Sequence, residues 1–454
     1  MSTHPQSRPF SIAALAEDLA SGKRTSRQLV EDCLARIHDT AGEGKRAFIS
    51  VSAESARQAA DAHDKLRASG YAPSPFAGIP ISLKDLFQVK DEKALAGSIA
   101  LKDSKVAEAD APAVARLRQA GFVFIGRTNM TEFAYSGLGL NPHYGTPKSV
   151  WQRQVGHVPG GSSSGAAVSV ADGMAHAALG TDTGGSCRIP AAFNYLTGFK
   201  PTASRVSREG AIPLSSSLDS IGPIAHSVSC CAIIDRIIAD RPRRASVERK
   251  PHQIRIGVLR TLVETGIEPA VANAYEAALG KLSKSGIEIH DFEMPELDQL
   301  PGLGEHGGLA AAESHAWHQS LLETKGGQYD PRVKSRILRG AEQSAADYIR
   351  MLERRQHFIQ TASRRIAAFD AIAMPTVPVL PPAIASLAAD EEYTRLNLLV
   401  LRNPTLINLM DGCAISLPVT APENPPVGLM LAARKNCDAD LFSIASVVET
   451  VIGV

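Results

Sequence analysis

Hydrophobic side chains recur at helical spacing along the first part of the chain. Between residues 11 and 38 they predict two amphipathic helices, with Ser11 and Thr25 as the residues that cap the N-termini. The polar triplet at 21–23 contains a glycine and separates the two helices. A third surface helix is predicted over residues 53–68. The pattern therefore predicts a helical N-terminal segment.

The pattern changes after this segment, where short apolar runs alternate with amphipathic stretches. Residues 76–83 predict a turn that leads into a short strand, residues 110–120 a helix, and residues 122–126 a buried strand. A run of small apolar residues predicts a helix from Ala166 to about Leu179. Such alternation is typical of an α/β fold, in which helices form layers on a sheet.

The second half of the chain shows the same alternation after a basic, proline-containing stretch at residues 241–252, which is a candidate linker. A strand at 254–259, a helix at 268–285 and a strand at 287–292 together predict a βαβ unit. The remaining predicted elements are strands at 369–379, 413–419 and 426–432 and a helix at 438–451.

The composition narrows the classes of protein to consider. The chain has 454 residues, of which 44% are hydrophobic and 21% charged, and its formal net charge is +1. This balance is ordinary for a soluble globular protein and predicts neither a nucleic-acid partner nor an anionic membrane surface. The longest apolar stretch, residues 166–180, contains Asp172 and His176 and is too short to cross a bilayer.

The cysteines and the N-terminus indicate the compartment. No pair of cysteines has the Cys-x-x-Cys spacing of a zinc site, and residues 1–10 lack the apolar region of a signal peptide. We therefore expect reduced thiols in a cytoplasmic protein. The six cysteines are Cys33, Cys187, Cys230, Cys231, Cys413 and Cys437.

Three short segments contain residues with chemical potential. Residues 78–85 form an apolar run that ends in Lys84, although an ammonium is costly to bury. Residues 159–167 are rich in glycine and serine and lead into a helix, and residues 180–190 place two glycines directly before Ser186. Taken singly, each has a structural explanation: an exposed charge, a flexible or anion-binding helix start, and a glycine turn.

In combination, the three segments resemble the amidase signature family. In that family Gly-Gly-Ser-Ser leads into Asp-x-Gly-Gly-Ser-x-Arg, and an upstream lysine completes a Ser–Ser–Lys triad. The resemblance implies amide hydrolysis with Ser186 as nucleophile, Ser162 as proton relay and Lys84 as base. Further segments that match the family lie at residues 126–133, 141–145, 197–202, 219–223 and 426–430.

The resemblance also implies the fold and the organisation of the chain. It implies an α/β amidase signature fold, a central mixed sheet with helices on both faces, in a single domain over residues 1–454. The N-terminal helices occupy residues 1–70 and the catalytic core residues 71–230. The candidate linker at 241–252 precedes residues 253–454, which form the C-terminal part of the same sheet with helical insertions.

The glycine pair before the serine suggests how an oxyanion is stabilised. Glycines allow successive backbone N–H groups to point at one spot, a geometry that suits an oxyanion hole. The candidate donors are the backbone N–H groups of Thr183, Gly184, Gly185 and Ser186.

Several neighbouring residues are expected to support this machinery. The charges of Asp182 and Arg188 can pair and fix the loop. Gly161 and Ser163 flank the relay serine, and the resemblance implies a cis peptide bond between Gly161 and Ser162. A lysine acts as a base only when neutral, so the base is expected to be buried, which lowers the pKa of its ammonium.

Other residues carry alternative chemistry. His143 and His157 are the nearest histidines to the motifs and are the alternative bases. Glu313, His315 and His318 lie close together, but a half-exposed helix explains them as well as a zinc site does, and no metal site is predicted.

Two aromatic residues are candidates to line the substrate pocket. Aromatic walls suit small-molecule sites, which favours Tyr135 and Trp317, although a core role is equally open for each.

These expectations define one leading function. We expect a stand-alone cytoplasmic amidase without cofactor that acts on a small neutral or aryl amide, with a homodimer as a candidate assembly. The family also includes enzymes that cut esters, carbamates, ureas and hydrazides, so these bonds are alternatives.

Two further alternatives belong to other functional classes. One is the A subunit of the glutamyl-tRNA amidotransferase, which works with partner subunits and tRNA. Against it, the chain has no basic run, and residues 135–140 look more like those of free-standing amidases. The other is a catalytically silent scaffold, which the intact triad residues disfavour.

Overall fold

Eleven strands form one mixed sheet in the computed structural model, which describes residues 11–241 and 248–453. The strands are β1 (Phe48–Val51), β2 (Pro80–Lys84), β3 (Val123–Thr128), β4 (Ala177–Asp182), β5 (Thr197–Lys200), β6 (Ser220–Ala225), β7 (Arg255–Leu259), β8 (Glu288–Phe292), β9 (Ala371–Pro375), β10 (Cys413–Pro418) and β11 (Gly428–Ala433). Their order in the sheet is β1-β3-β2-β4-β6-β5-β10-β11-β9-β7-β8.

The α-helices of the described residues begin with the predicted N-terminal pair, and both predicted caps are confirmed. The Ser11 side chain accepts from the Ala14 N–H, and Thr25 forms a capping box with Gln28. The helices are α1 (Ile12–Ala20), α2 (Ser26–His38), α3 (Gly44–Ala47), α4 (Ala53–Ala68), α5 (Pro112–Gln119), α6 (Ser164–Ala171), α7 (Arg188–Ala192), α8 (Val228–Ile238), α9 (Pro269–Lys284), α10 (Leu300–Gly304), α11 (Gly308–Lys325), α12 (Pro331–Leu338), α13 (Ala345–Arg365), α14 (Asp390–Leu409) and α15 (Asp438–Ile452).

Helices cover both faces of the sheet, as predicted. In β10, Ile415 packs into a hydrophobic cluster that includes Ile444 of α15, whereas its neighbour Ala414 packs into a second cluster with Phe358 of α13 and Ile407 of α14. Successive side chains of a strand point to opposite faces, so the two clusters lie on opposite sides of the sheet. No helix within the described ranges combines the length and the apolar character needed to cross a membrane.

Strands from both halves of the chain belong to this sheet. β5 pairs antiparallel with β10, which joins β1–β6 to the strands that follow the candidate linker. The predicted βαβ unit is confirmed, since β7 and β8 are parallel and α9 connects them. Residues 242–247, within the candidate linker, lie outside the described residues.

The helix predicted from Ala166 to about Leu179 is wrong beyond Ala171, where α6 ends. Gly173 adopts a φ of +68°, a left-handed conformation that glycine accepts readily and that stops the helix. The following residues form β4, which is parallel to β2 and antiparallel to β6. Because β2 and β4 are parallel, Lys84 and Asp182 at their ends lie at the same edge of the sheet.

Candidate active site

Lys84 ends β2 with its side chain fully buried. Its Nζ lies 2.7 Å from Ser162 Oγ and 2.8 Å from Thr181 Oγ1. Burial lowers the pKa of the Lys84 ammonium from the usual lysine value to about 8. A lysine in this state has a substantial neutral fraction near neutral pH and can act as a proton acceptor.

Ser162 lies in the loop before α6, and the Gly161–Ser162 peptide is cis, as the resemblance implies. Backbone hydrogen bonds fix both sides of this peptide. The Gly161 N–H donates to the Gly137 carbonyl at 2.8 Å, and the Ser162 carbonyl accepts from the Thr131 N–H at 3.0 Å. A Cβ on residue 161 would lie 2.6 Å from the Gly139 backbone nitrogen, so the close approach requires glycine.

Ser186 lies in the loop between β4 and α7 and is only 3% exposed. The Ser163 N–H donates to the Ser186 carbonyl at 3.3 Å, so the loops that carry the two predicted catalytic serines adjoin. The Ser163 hydroxyl also donates to the Thr181 carbonyl at 3.4 Å. The structure therefore brings the segments of Lys84, Ser162 and Ser186 together.

The candidate oxyanion donors divide into two groups. Thr183, Gly184 and Ser186 line the large cavity at the end of β4. Gly185 differs from the prediction because its N–H donates to Asp182 Oδ1 at 2.8 Å and is already satisfied. The candidate donors are therefore reduced to the backbone N–H groups of the other three residues.

Asp182 and Arg188 form a buried ion pair, and neither side chain is exposed. Arg188 Nη2 donates to Asp182 Oδ1 at 2.8 Å and to Asn408 Oδ1 of α14 at 2.7 Å. Burial alone would raise the pKa of Asp182, but the charge and hydrogen bonds of Arg188 hold it far below its usual range. The pair fixes both ends of the loop that carries Ser186.

The large cavity has a volume of about 1170 Å³ and a mostly apolar wall. Tyr135 contributes to this wall, as predicted. Trp317 does not: it is 40% exposed and packs on the ring of Phe133 with centroids 6.2 Å apart. Ser186 therefore lies in a cavity whose wall suits an apolar small molecule.

Comparison with known proteins identifies the family of this chain. The family model described as Amidase matches residues 28–442. The chain belongs to the amidase family.

Its relatives in the amidase family match it over nearly their full length. The 2-amino-5-chloromuconic acid deaminase of Comamonas testosteroni is 35% identical, over 98% of this chain and 96% of that protein. The A-type subunit of the glutamyl-tRNA(Gln) amidotransferase of Chromohalobacter salexigens is 33% identical, over 96% and 95% respectively. The crystal structure of an amidase, 28% identical, superposes with a TM-score of 0.87 over 97% of this chain and 99% of that one.

In this member of the amidase family, the two histidines considered as alternative bases form hydrogen bonds with other residues. His143 Nε2 lies 2.9 Å from Glu132 Oε1, and His157 Nδ1 lies 2.7 Å from the Pro381 carbonyl. Neither hydrogen bond involves a residue of the predicted triad.

The alternative metal ligands also have other partners. The Glu313 carboxylate accepts from Ser215, Ser217 and Tyr348, and His318 Nδ1 lies 2.8 Å from the Tyr329 hydroxyl. Within residues 11–241 and 248–453, no group of three or more His, Cys, Asp or Glu side chains is placed to hold a metal ion.

Sequence reasoning missed three residues that complete this site. Thr181, whose hydroxyl binds Lys84, lies inside the segment 180–190. A hydroxyl group beside the serine motif is the only sequence feature that could have indicated this role. Asp219 accepts from the Thr183 hydroxyl at 2.5 Å, and Asn408 donates to the Asp182 carbonyl at 3.1 Å. Asp219 belongs to the segment 219–223 that matches the family but had no predicted role, and Asn408 comes from a distant part of the chain. The contacts of both become visible only in the fold.

Replacing Arg188 with methionine is expected to lower the free energy of unfolding by about 3–5 kcal/mol, because Asp182 remains as a buried charge without its partner. Chemical denaturation followed by circular dichroism measures this loss. Arg395→Met is the matched control, since its ion pair with Glu392 is exposed and should contribute little. Equal loss in both variants would contradict a special role for the buried pair.

Proposed function

We propose that this protein hydrolyses the carbon–nitrogen bond of a small neutral or aryl amide through an acyl-enzyme on Ser186. The observation that carries this proposal is the buried Lys84, whose Nζ lies 2.7 Å from Ser162 Oγ. A lysine in this setting has little structural reason to be buried, because its ammonium loses hydration and its close partners are hydroxyl groups. A role as proton acceptor explains why Lys84 is buried despite this loss of hydration.

The first half of the reaction transfers two protons and forms one bond. Neutral Lys84 takes the proton of Ser162, and Ser162 takes the proton of Ser186 as its oxygen attacks the amide carbonyl. The negative charge that develops on the carbonyl oxygen faces the N–H groups of Thr183, Gly184 and Ser186.

The second half breaks the carbon–nitrogen bond and renews the enzyme. Ser162 gives its proton to the leaving nitrogen and regains one from Lys84, which leaves the acyl group on Ser186. Water then attacks the ester and gives a proton to Ser162 and Lys84. As the bond between the acyl carbon and Ser186 Oγ breaks, Ser162 returns a proton to Ser186 and the acid is released. Cys187 is adjacent, but it is fully buried and its Sγ lies 3.6 Å from the Gly222 carbonyl. Burial also raises the pKa of its thiol far above the usual value, which makes it a poor nucleophile.

The relatives support cleavage at a carbon–nitrogen bond. One is named as a deaminase of 2-amino-5-chloromuconic acid, and one of the superposed structures is a peptide amidase, 26% identical with a TM-score of 0.80. As expected from the sequence, we also propose a cytoplasmic enzyme that acts without a cofactor.

A second candidate function is that of the amidase subunit in a glutamyl-tRNA amidotransferase. It is favoured by the 33% identity to such a protein over 96% of this chain. The two functions differ in what the isolated protein does, since a stand-alone amidase needs no partner protein.

The test is an assay of the purified protein alone against acetanilide, benzamide, a phenyl carbamate, phenyl acetate and glutamine. We expect turnover of an amide without added protein or cofactor. Activity that appears only with glutamine and co-purifying subunits would favour the amidotransferase. No turnover, together with no labelling by a fluorophosphonate, would identify a silent scaffold and overturn the proposal.

The proposed relay predicts a partial loss on Ser162→Ala. We expect kcat to fall by about 10²- to 10⁴-fold, because the proton path between Lys84 and Ser186 is broken. Slow labelling of Ser186 by a fluorophosphonate should persist, since the nucleophile itself remains. Ser164→Ala is the control from the same segment and should keep its turnover. A Ser162→Ala variant with the parent's kcat would remove the relay from the mechanism.

A further inference from the structure

Three arginines on one helix and its extension face the large cavity. Arg332, Arg336 and Arg339 are spaced i, i+4 and i+7, which places them on one side of α12 and the turn that follows it. A fourth arginine, Arg402 of α14, also lines this cavity. Such a concentration of positive charge is unexpected in a pocket for a neutral amide.

Two of the four guanidinium groups are already occupied. Arg332 forms an ion pair with Asp390 at 2.7 Å. Arg402 donates to the carbonyls of Val263 and Thr265. These two residues hold the wall of the cavity together, so their donors are used within the protein.

The other two retain donors for a ligand. Arg336 Nη1 donates to the Tyr135 carbonyl at 2.6 Å, which uses one of the five N–H groups of a guanidinium. Its guanidinium carbon lies 5.3 Å from the centre of the Tyr393 ring, which orients the group. Among the residues that the structure describes, neither Arg336 nor Arg339 has a carboxylate oxygen within 4.0 Å.

Backbone contacts place Arg336 within a small molecule's length of the reacting groups. Tyr135, which binds Arg336, is two residues before Gly137, whose carbonyl accepts from the Gly161 N–H. Two residues span at most about 7 Å. A ligand that reaches from the relay serine to this guanidinium therefore needs only a short chain.

Most of the cavity wall is apolar. Leucines from several elements form the wall, among them Leu218, Leu401 and Leu406. The carboxylates in the lining are Asp298 and Asp390, and Asp390 is neutralised by Arg332. The lining of the cavity thus combines Ser186, a mostly apolar wall and an excess of positive charge.

We propose that the natural substrate is an amide with an apolar chain and a carboxylate, which Arg336 and Arg339 bind while the amide carbonyl lies at Ser186. Guanidinium groups bind carboxylates through paired, charge-assisted hydrogen bonds, which fix both the position and the direction of a substrate. This inference rests on the proposed amide hydrolysis and narrows it from the neutral or aryl amide expected from the sequence to an anionic one.

The test compares matched pairs of substrates. Succinamic, adipamic and suberamic acids each carry a carboxylate, and butanamide, hexanamide and octanamide are their neutral partners of equal chain length. In the unmodified enzyme, kcat/KM should favour the acid in at least one pair. In Arg336→Gln/Arg339→Gln, the ratio of kcat/KM for the acid to kcat/KM for its neutral partner should fall by about 10- to 100-fold.

The control variant removes a charge from the same helix. Lys334 is on α12, but its ammonium lies beside Gly326. Lys334→Gln should keep the preference for the acid, which separates direct binding from the net charge of the protein. Circular dichroism checks that each variant is folded.

Each outcome has a distinct meaning. A preference for the neutral amides, or one for the acid that survives in the double variant, would overturn the carboxylate proposal while hydrolysis itself stands. Equal losses for the acid and its neutral partner would also overturn it, because they indicate damage to the cavity wall. If no amide is hydrolysed and Ser186 is not labelled, the proposed function itself fails.

Discussion

Ser186→Ala is expected to lower kcat/KM for any amide by at least about 10³-fold and to abolish covalent labelling by a fluorophosphonate. The reason is that no other group can form the acyl-enzyme, while the oxyanion donors and the cavity remain. Mass spectrometry of the labelled protein locates the modified residue, and steady-state kinetics measures the loss.

Cys187→Ala is the matched control for the nucleophile. Cys187 follows Ser186 directly and is buried, and burial raises the pKa of its thiol, so it should not react at neutral pH. This variant should keep labelling at Ser186. Label on another residue, or near-native turnover in Ser186→Ala, would show that Ser186 is not the nucleophile.

The pH dependence of the rate is the second large effect, and its direction follows from the protonation state of Lys84. The base must be neutral, so the rate should rise with pH through the Lys84 pKa of about 8 and then level off. At pH 7 such a lysine is about 10% neutral, against less than about 0.1% for an unperturbed lysine. Lys84→Ala should lower kcat by about 10²- to 10⁴-fold and remove this rise of the rate with pH, which is the acid limb of the pH profile. Lys84→Arg should not restore it, since arginine stays protonated.

The chain contains a second lysine that makes this test specific. Burial also lowers the pKa of Lys200 to about 8. However, Lys200 Nζ donates to the carbonyls of Pro201 and Gly412, at 2.6 and 2.7 Å, and not to the catalytic serines. Lys200→Met should therefore keep the acid limb. If Lys84→Ala retained the limb and Lys200→Met lost it, the assignment of the base would be wrong.

The elements predicted from the sequence are those with a strong local signal. The capped helices α1 and α2 and the βαβ unit of β7, α9 and β8 were predictable, because periodicity and capping act over a few residues. β4 was mistaken for helix because its alanines and its leucine fit both conformations. Its identity as a strand comes from pairing with β2 and β6, which are distant in sequence.

In the site too, only features with a local sequence signal could be predicted. The segments of Lys84, Ser162 and Ser186 could be singled out because their motifs are local and resemble a family pattern, and the structure brings these segments together. The commitment of the Gly185 N–H to Asp182 depends on the conformation of one loop, and the arginines of α12 carry no motif at all. Exposed arginines on an amphipathic helix are ordinarily solvated, so only the fold shows that Arg336 faces the cavity of Ser186.

The ion pair of Arg188 with Asp182 is completed by Asn408, a residue 220 positions later in the chain. Closing so long a loop costs entropy before the contact is made, and a ribosome produces α14 only near the end of synthesis. A fragment that stops before α14 would contain the whole Ser–Ser–Lys sequence but not the group that braces the Ser186 loop. The nascent protein is therefore expected to remain unreactive until its C-terminal helices have emerged.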